Sequence, residues 1–113
     1  MILDYFKLEA KVALVTGSAA GIGRAIAVAL GEAGANVACH CRNMGDANDT
    51  TEEIRDLGGR AIEVAGDMAD KDAPKRVVGE VVNVFGRIDI LINNAGMIRR
   101  SPAVEYSDED WQT

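Results

Sequence analysis

Three glycines follow the first apolar run of the chain at a spacing that suits the binding of a phosphate group. Gly17 ends this run, and Gly21 and Gly23 open the amphipathic stretch that follows. Glycine lacks a Cβ, so the backbone can turn tightly and approach a ligand closely. A helix N-terminus leaves N–H groups unpaired beside a partial positive charge, and a pyrophosphate is their natural occupant. The spacing differs from the common G-x-G-x-x-G pattern, because three residues separate the first two glycines. We predict an anion-binding loop, with a purely structural glycine-rich turn as the alternative.

The run Cys39-His40-Cys41 is a second group that could do chemistry, because it suggests a metal site. In a strand, successive side chains point to opposite faces, so the two cysteines share one face and His40 points to the other. The three side chains therefore cannot converge on one ion, and the sequence has no further cysteine or histidine. We predict no metal site, two half-buried thiols, and a packed or edge-facing histidine in preference to a catalytic base.

The elements that must position these residues alternate between short apolar runs and amphipathic stretches, which is typical of a parallel sheet with right-handed crossovers. We predict an α/β fold, a Rossmann-type doubly wound parallel sheet of which this chain holds the N-terminal half, with strand order 3-2-1-4. Ile22, Ile26, Ala29, Leu30 and Ala33 give the first helix an apolar face. The predicted strands cover residues 12–16, 37–41, 61–65 and 88–92, and the predicted helices cover 21–34, 49–57, 70–85 and a stretch that starts at 107.

Composition limits the classes of protein to which the chain can belong. It has 113 residues, 48% of them hydrophobic and 27% charged, which is typical of one globular domain. The net charge of −6 provides no basic surface for nucleic acid or an anionic membrane. The apolar runs are too short to cross a bilayer, and the first residues lack the pattern of an export signal. We therefore expect a cytoplasmic protein with no nucleic-acid or membrane partner.

Two motifs carry a resemblance to a known family. Thr16 and the three glycines match the T-G-x-x-x-G-x-G pattern of the short-chain dehydrogenases/reductases. Asn93-Asn94-Ala95-Gly96, directly after the fourth predicted strand, matches the N-N-A-G pattern of the same family. The resemblance spans essentially the whole chain. It implies an oxidoreductase that uses NAD(P), acts on a small-molecule substrate and forms a homo-oligomer, a dimer or tetramer, when full length.

The resemblance also implies which residues contact the cofactor. Residues of the glycine loop lie under the pyrophosphate and the adenosine ribose, residues after the third strand contact the adenine, and residues after the fourth strand line the cofactor. In chain order these are Gly17, Gly21, Ile22, Gly23, Asp67, Met68, Asn94, Ala95 and Gly96. Two alternatives stay open: Asp67 as a helix-capping acid, and Asn93 as a structural tie between strands, which we favour over a cofactor contact.

The end of the second strand distinguishes the two nicotinamide dinucleotides. An acidic residue there would bind both ribose hydroxyls and repel a 2′-phosphate. The chain instead has Cys41 followed by Arg42 and Asn43. A guanidinium suits a phosphate through charge-assisted hydrogen bonds, so we predict NADP(H) in preference to NAD(H). The alternative is a solvated Arg42, and Ala20 supplies no second basic residue in the glycine loop.

The residues after Gly96 resemble the sugar-acid branch of the family, which implies a substrate such as 2-deoxygluconate or gluconate. Arg99 and Arg100 are the predicted partners of a substrate carboxylate, with a solvated or locally paired state as the alternative. A 3-oxoacyl-carrier-protein reductase-like activity is a further possibility within the same family.

No residue of the chain is predicted to be catalytic. In the family that it resembles, a Tyr with a Lys four residues later acts as general acid/base, and a Ser and an Asn assist. We expect all four beyond the end of this chain, so that residues 1–113 are a partial NAD(P)-binding domain, inactive alone. Tyr106 does not substitute, because Asp110 instead of a Lys lies four residues later. The alternative from another class is a non-catalytic dinucleotide-binding module.

Overall fold

A four-stranded parallel sheet organises the part of the chain that the computed structural model describes, residues 8–94. The elements are β1 (Val12–Val15), α1 (Gly21–Glu32), β2 (Asn36–Cys41), α2 (Asn48–Asp56), β3 (Arg60–Ala65), α3 (Ala73–Phe85) and β4 (Ile90–Ile92). The strands lie in the order β3-β2-β1-β4, which confirms the predicted α/β class and strand order.

The central strand β1 is covered on both faces. All four of its residues are buried, and it pairs in parallel with β2 on one side and β4 on the other. Ala13 and Val15 belong to one apolar cluster, and Val12 and Leu14 belong to another. Because strand side chains alternate between faces, a strand buried on both sides must be apolar throughout. This explains the unbroken apolar run in the sequence.

Helix α1 packs through small side chains. Its buried residues are Gly23, Ala27 and Gly31, which lie four apart on one face. The face predicted from large apolar residues is therefore wrong in part, since Ile22 is 73% exposed. A helix that must lie close to its neighbours needs small residues at the contact. A prediction based on large apolar side chains therefore misses this face.

The small residues of α1 also set its distance from α2. A Cβ on Gly31 would lie 2.7 Å from Cγ2 of Ile54 in α2, well inside van der Waals contact. Ile54 is completely buried at this point. The two helices therefore pack against each other because one of them has no side chain where they meet.

Helix α3 begins at Ala73, three residues later than predicted. A polar turn occupies the residues before it, where the N–H of Asp70 donates to the carbonyl of Asp67 at 2.9 Å. The carboxylate of Asp70 in turn accepts the N–H of Asp72 at 3.0 Å. These local bonds compete with helix formation, which is a common property of aspartate.

Strand β4 is shorter than predicted because Asp89 contacts β1 through its side chain as well as its backbone. Its carboxylate accepts the N–H of Val12 at 2.8 Å, and its own N–H donates to the Val12 carbonyl at 2.8 Å. Arg87 Nε lies 2.9 Å from the same carboxylate oxygen. The Val12 N–H, helped by the Arg87 guanidinium, holds the pKa of Asp89 below its ordinary value.

Asp89→Asn is expected to destabilise the fold at neutral pH. Because folding lowers the pKa of Asp89, the carboxylate stabilises the folded state above the ordinary Asp value of about 4, and this stabilisation is lost as the pH falls below it. Urea denaturation of wild type and variant should show a difference at about pH 7 that shrinks towards about pH 3.

Asp56→Asn is the matched control, because Asp56 is an exposed aspartate at the end of α2. It is expected to change the free energy of unfolding little at either pH. A difference for Asp89→Asn that stays constant on acidification would contradict the contacts assigned to this carboxylate.

Candidate cofactor-binding site

The segment from the end of β1 to the first residue of α1 has a left-handed backbone at two positions, and both are glycines. Gly17 has a φ of 63° and Gly21 a φ of 61°, values that other residues rarely adopt. Ala20 occupies the N-cap position of α1, where no side-chain hydrogen bond caps the helix and no acid lies in the first turn. The first-turn N–H groups have no acceptor within the helix, so this end of α1 suits an anion.

Gly23 is the point of closest approach between α1 and this loop. A Cβ at Gly23 would overlap the carbonyl oxygen of Gly17 and lie 2.6 Å from Nδ2 of Asn94. The obstructing carbonyl is backbone, so it could not move aside as a flexible side chain would. The third glycine of the motif is therefore required because a side chain would collide with the Gly17 carbonyl, and not because of its backbone conformation.

Residues after β4 fasten the beginning of the loop. The N–H of Asn94 donates to Oγ1 of Thr16 at 2.8 Å, and Nδ2 of Asn94 donates to the Gly17 carbonyl at 3.2 Å. Oγ1 of Thr16 lies 3.2 Å from Oδ1 of Asn93, as the predicted tie between strands requires. Both asparagines thus contact the loop itself.

His40 fastens the same loop from β2. The N–H of Gly17 donates to Nδ1 of His40 at 3.1 Å, and the N–H and the hydroxyl of Ser18 both donate to the His40 carbonyl at 2.9 Å. On the other side, the hydroxyl of Thr50 in α2 donates to the Ser18 carbonyl at 2.8 Å. The sequence predicted a packed or edge-facing histidine, and its hydrogen bonds to the glycine loop were missed because pairing across a sheet is not visible in local sequence.

Arg42 and Asp67 meet at the carboxyl ends of β2 and β3. Nη2 of Arg42 lies 3.3 Å from Oδ2 of Asp67; the Arg42 side chain is largely exposed and that of Asp67 is half-exposed. Oδ1 of Asp67 accepts the N–H of Ala69 at 3.0 Å. The alternative that Asp67 caps the following helix is wrong, because the N-cap of α3 is Asp72.

Met68 lies on the α3 side of the sheet and packs against the cluster that contains Leu14. It lines a groove of about 340 Å³ between α3 and the ends of β1 and β4, together with Thr16 and Asn93. The groove adjoins the beginning of the glycine loop but does not include the first turn of α1.

Glu63 fastens the loop between β2 and α2, a function that the sequence did not suggest. Its carboxylate accepts the N–H of Gly45 at 2.9 Å and the N–H of Ala47 at 2.7 Å. Cys41 Sγ lies 3.4 Å from the same carboxylate. Glu63 lies in β3 and binds the loop that follows β2. A contact between segments this far apart in the chain cannot be recognised from local sequence.

The two cysteines share one face of β2, as predicted, and both pack in the cluster that contains Ala13. The prediction of half-buried thiols is wrong, because helices cover this face of the sheet and both residues are buried. Burial raises the pKa of Cys39 to about 12 and that of Cys41 to about 11, so both remain thiols at neutral pH. Among residues 8–94, no three side chains of His, Cys, Asp or Glu are grouped as metal ligands. No helix in that same range is long and apolar enough to cross a membrane.

Several predicted features lie outside the described residues. They are the cofactor contacts Ala95 and Gly96, the substrate contacts Arg99 and Arg100, and the helix expected from residue 107.

Comparison with known proteins agrees with the two motifs. The family model described as short chain dehydrogenase matches residues 11–113. The chain is 40% identical over 111 residues to a 2-dehydro-3-deoxy-D-gluconate 5-dehydrogenase of Dickeya dadantii, and the match covers 98% of this chain and 43% of that protein. It is 42% identical over 99 residues to versicolorin reductase 1 of Dothistroma septosporum, with coverage of 87% and 38%.

A solved structure supports the same relationship. The crystal structure of a short chain dehydrogenase from Burkholderia cenocepacia in complex with NADP superposes with a TM-score of 0.76 at 39% identity, covering 94% of this chain and 44% of that one. The chain thus spans less than half the length of the relatives that it matches. Because the family model matches nearly the whole length of this chain, the chain belongs to the short chain dehydrogenase family.

Proposed function

We propose that this chain supplies the dinucleotide-binding part of an NAD(P)-dependent oxidoreductase. The observation that carries the proposal is the cradle at the start of α1, where the first turn is uncapped and a Cβ at Gly23 would overlap its neighbours. The pyrophosphate would accept hydrogen bonds from the N–H groups of Gly21, Ile22 and Gly23. Ile22 is exposed beside this cradle, where its side chain can cover the cofactor.

When bound, the nicotinamide would accept or donate a hydride at C4 and so interconvert a secondary alcohol and a ketone. The residues of this chain bind and orient the cofactor, and none of the described ones is assigned to proton transfer. A sugar acid is the proposed substrate, in line with the 2-dehydro-3-deoxy-D-gluconate 5-dehydrogenase among the relatives and with Arg99 and Arg100 as partners of its carboxylate.

We further propose NADP(H) as the preferred cofactor. Arg42 is 74% exposed at the end of β2, and no carboxylate is present on β2 at that end. Its partner Asp67 comes from β3, so a 2′-phosphate would compete with that carboxylate for the guanidinium. The NADP complex of the Burkholderia cenocepacia relative is consistent with this choice.

Gly23→Ala is expected to weaken NADPH binding by about ten-fold or more, because the added Cβ would push the first turn of α1 away from the Gly17 carbonyl and distort the proposed cradle. An overpacking strain of about 1–3 kcal/mol would have to be relieved by this distortion. Fluorescence titration of NADPH measures the affinity. Gly79→Ala is the control: Gly79 lies within α3, a Cβ there meets nothing within 4 Å, and the change should stabilise the helix by about 0.5–1 kcal/mol without altering affinity. Unchanged NADPH affinity in a folded Gly23→Ala variant would contradict the proposed cradle.

Arg42→Ala is expected to weaken NADPH binding by about ten-fold and to leave NADH binding unchanged, since a hydrogen bond to a charged group contributes about 1.5–3 kcal/mol. Asp67→Asn should raise the ratio of NADPH to NADH affinity, because it releases the guanidinium and removes a charge that repels the 2′-phosphate. Titration of both cofactors against each variant gives the two ratios.

Arg60→Ala is the charge-matched control, because Arg60 lies at the opposite end of β3, over the ring of Phe85. It should change neither affinity. An equal loss of NADPH and NADH binding in Arg42→Ala would show that Arg42 does not distinguish the cofactors.

A longer protein that contains this chain together with the Ser, Tyr and Lys of the family is expected to oxidise 2-deoxygluconate or gluconate with NADP⁺, and to act poorly on the corresponding neutral sugars, which lack the carboxylate. Residues 1–113 alone are expected to bind NADPH without turnover. Nicotinamide absorbance follows the reaction. Turnover of 3-oxoacyl thioesters instead would favour the carrier-protein reductase alternative. Tight cofactor binding by that longer protein with no turnover of either class would contradict the oxidoreductase and favour a binding module.

A further inference from the structure

The imidazole of His40 lies between the two parts of the proposed cofactor site. His40 is 2% exposed in β2, opposite Val64 of β3. Its Nδ1 lies 3.1 Å from the backbone nitrogen of Gly17, and its Nε2 lies 2.7 Å from the carbonyl oxygen of Gly66. One ring therefore connects the start of the glycine loop with the residue that precedes Asp67.

The two backbone partners determine which nitrogen carries the proton. The N–H of Gly17 can only donate, so Nδ1 must accept; the carbonyl of Gly66 can only accept, so Nε2 must donate. A neutral ring protonated on Nε2 satisfies both, and a ring protonated on Nδ1 would face the Gly17 N–H with a second donor. The fold thus selects one tautomer of this histidine.

The hydrogen bonds of the His40 ring affect the site because of where Gly17 and Gly66 lie. Gly17 has the left-handed backbone that starts the loop, and its carbonyl is the group against which Gly23 packs. Gly66 is fixed from the other side by its own N–H, which donates to the Cys41 carbonyl at 3.0 Å. A shift of the ring would move the loop relative to the β2–β3 corner where Arg42 pairs with Asp67.

We propose that His40 is a positioning residue of the cofactor site, which acts through Gly17 and Gly66 to set the distance between the phosphate cradle and the adenine end. The proposal rests on the proposed function, because it assigns a task within that same site. A residue that only filled the core would need no hydrogen-bonding nitrogen on either side. Here both ring nitrogens are paired with backbone atoms that belong to two different parts of the site.

Three substitutions separate positioning from core filling. His40→Phe keeps the ring volume but removes both bonds, and it should raise the Kd for NADPH by about ten-fold. His40→Asn places an amide oxygen near the position of Nδ1, so it can accept the Gly17 N–H and should restore most of the affinity. His40→Gln places its amide near the position of Nε2 and should restore less.

Val64→Ala is the stability-matched control, because Val64 is a buried neighbour in β3 that packs in the cluster containing Leu14 and Val77. It should lower the thermal midpoint without changing the Kd. Nitrogen NMR of the wild-type protein should give His40 an unprotonated Nδ1 and a protonated Nε2.

The outcomes distinguish this proposal from the proposed function. A wild-type protein that binds no dinucleotide overturns the function. If the wild-type protein binds normally, the positioning proposal is overturned by any of three results. These are NADPH binding by folded His40→Phe that is as tight as that of wild type, a loss of affinity in Val64→Ala like that in His40→Phe, or a proton on Nδ1. Rescue by His40→Asn with the predicted tautomer supports it.

Discussion

The contact between the first turn of α1 and the loop before it is the constraint on which the rest of the site depends. Gly23 has no Cβ, so the helix can lie against the carbonyl of Gly17, and that carbonyl also accepts the amide of Asn94. Segments after β1, within α1 and after β4 therefore meet at one oxygen atom. A larger residue at Gly23 would separate them and displace the start of α1 from the loop.

The loop is shaped by the protein's own hydrogen bonds before any ligand is considered. His40 accepts the N–H of Gly17 and of Ser18, Asn94 donates to the Gly17 carbonyl, and Thr50 donates to the Ser18 carbonyl. Both backbone groups of each residue are thereby paired within the fold, which limits the freedom of the loop and lowers the entropy that binding would cost. The first turn of α1 is different, because no side chain of the described residues caps it.

The sequence was sufficient to predict the strand order, because alternating strands and helices leave few arrangements of a parallel sheet and β1 is apolar throughout. Local patterns predicted less well where a residue works at a distance. The apolar period of α1 pointed to Ile22, whereas the buried face is formed by Gly23 and its small neighbours. Glu63 and His40 act across strands that are far apart in the chain, so their contacts depend on register, which spacing along the sequence does not reveal.

The central claim is that the start of α1 is the anion-binding end of the site. The most direct measurement is an NMR titration of the ¹⁵N-labelled protein with NADPH, which follows each backbone amide. The amide signals of Gly21, Ile22 and Gly23 are predicted to shift most strongly and in parallel with saturation, while those at the far end of α3, near Gly86, stay in place. Saturable binding that leaves the three α1 amides unmoved would contradict the claim.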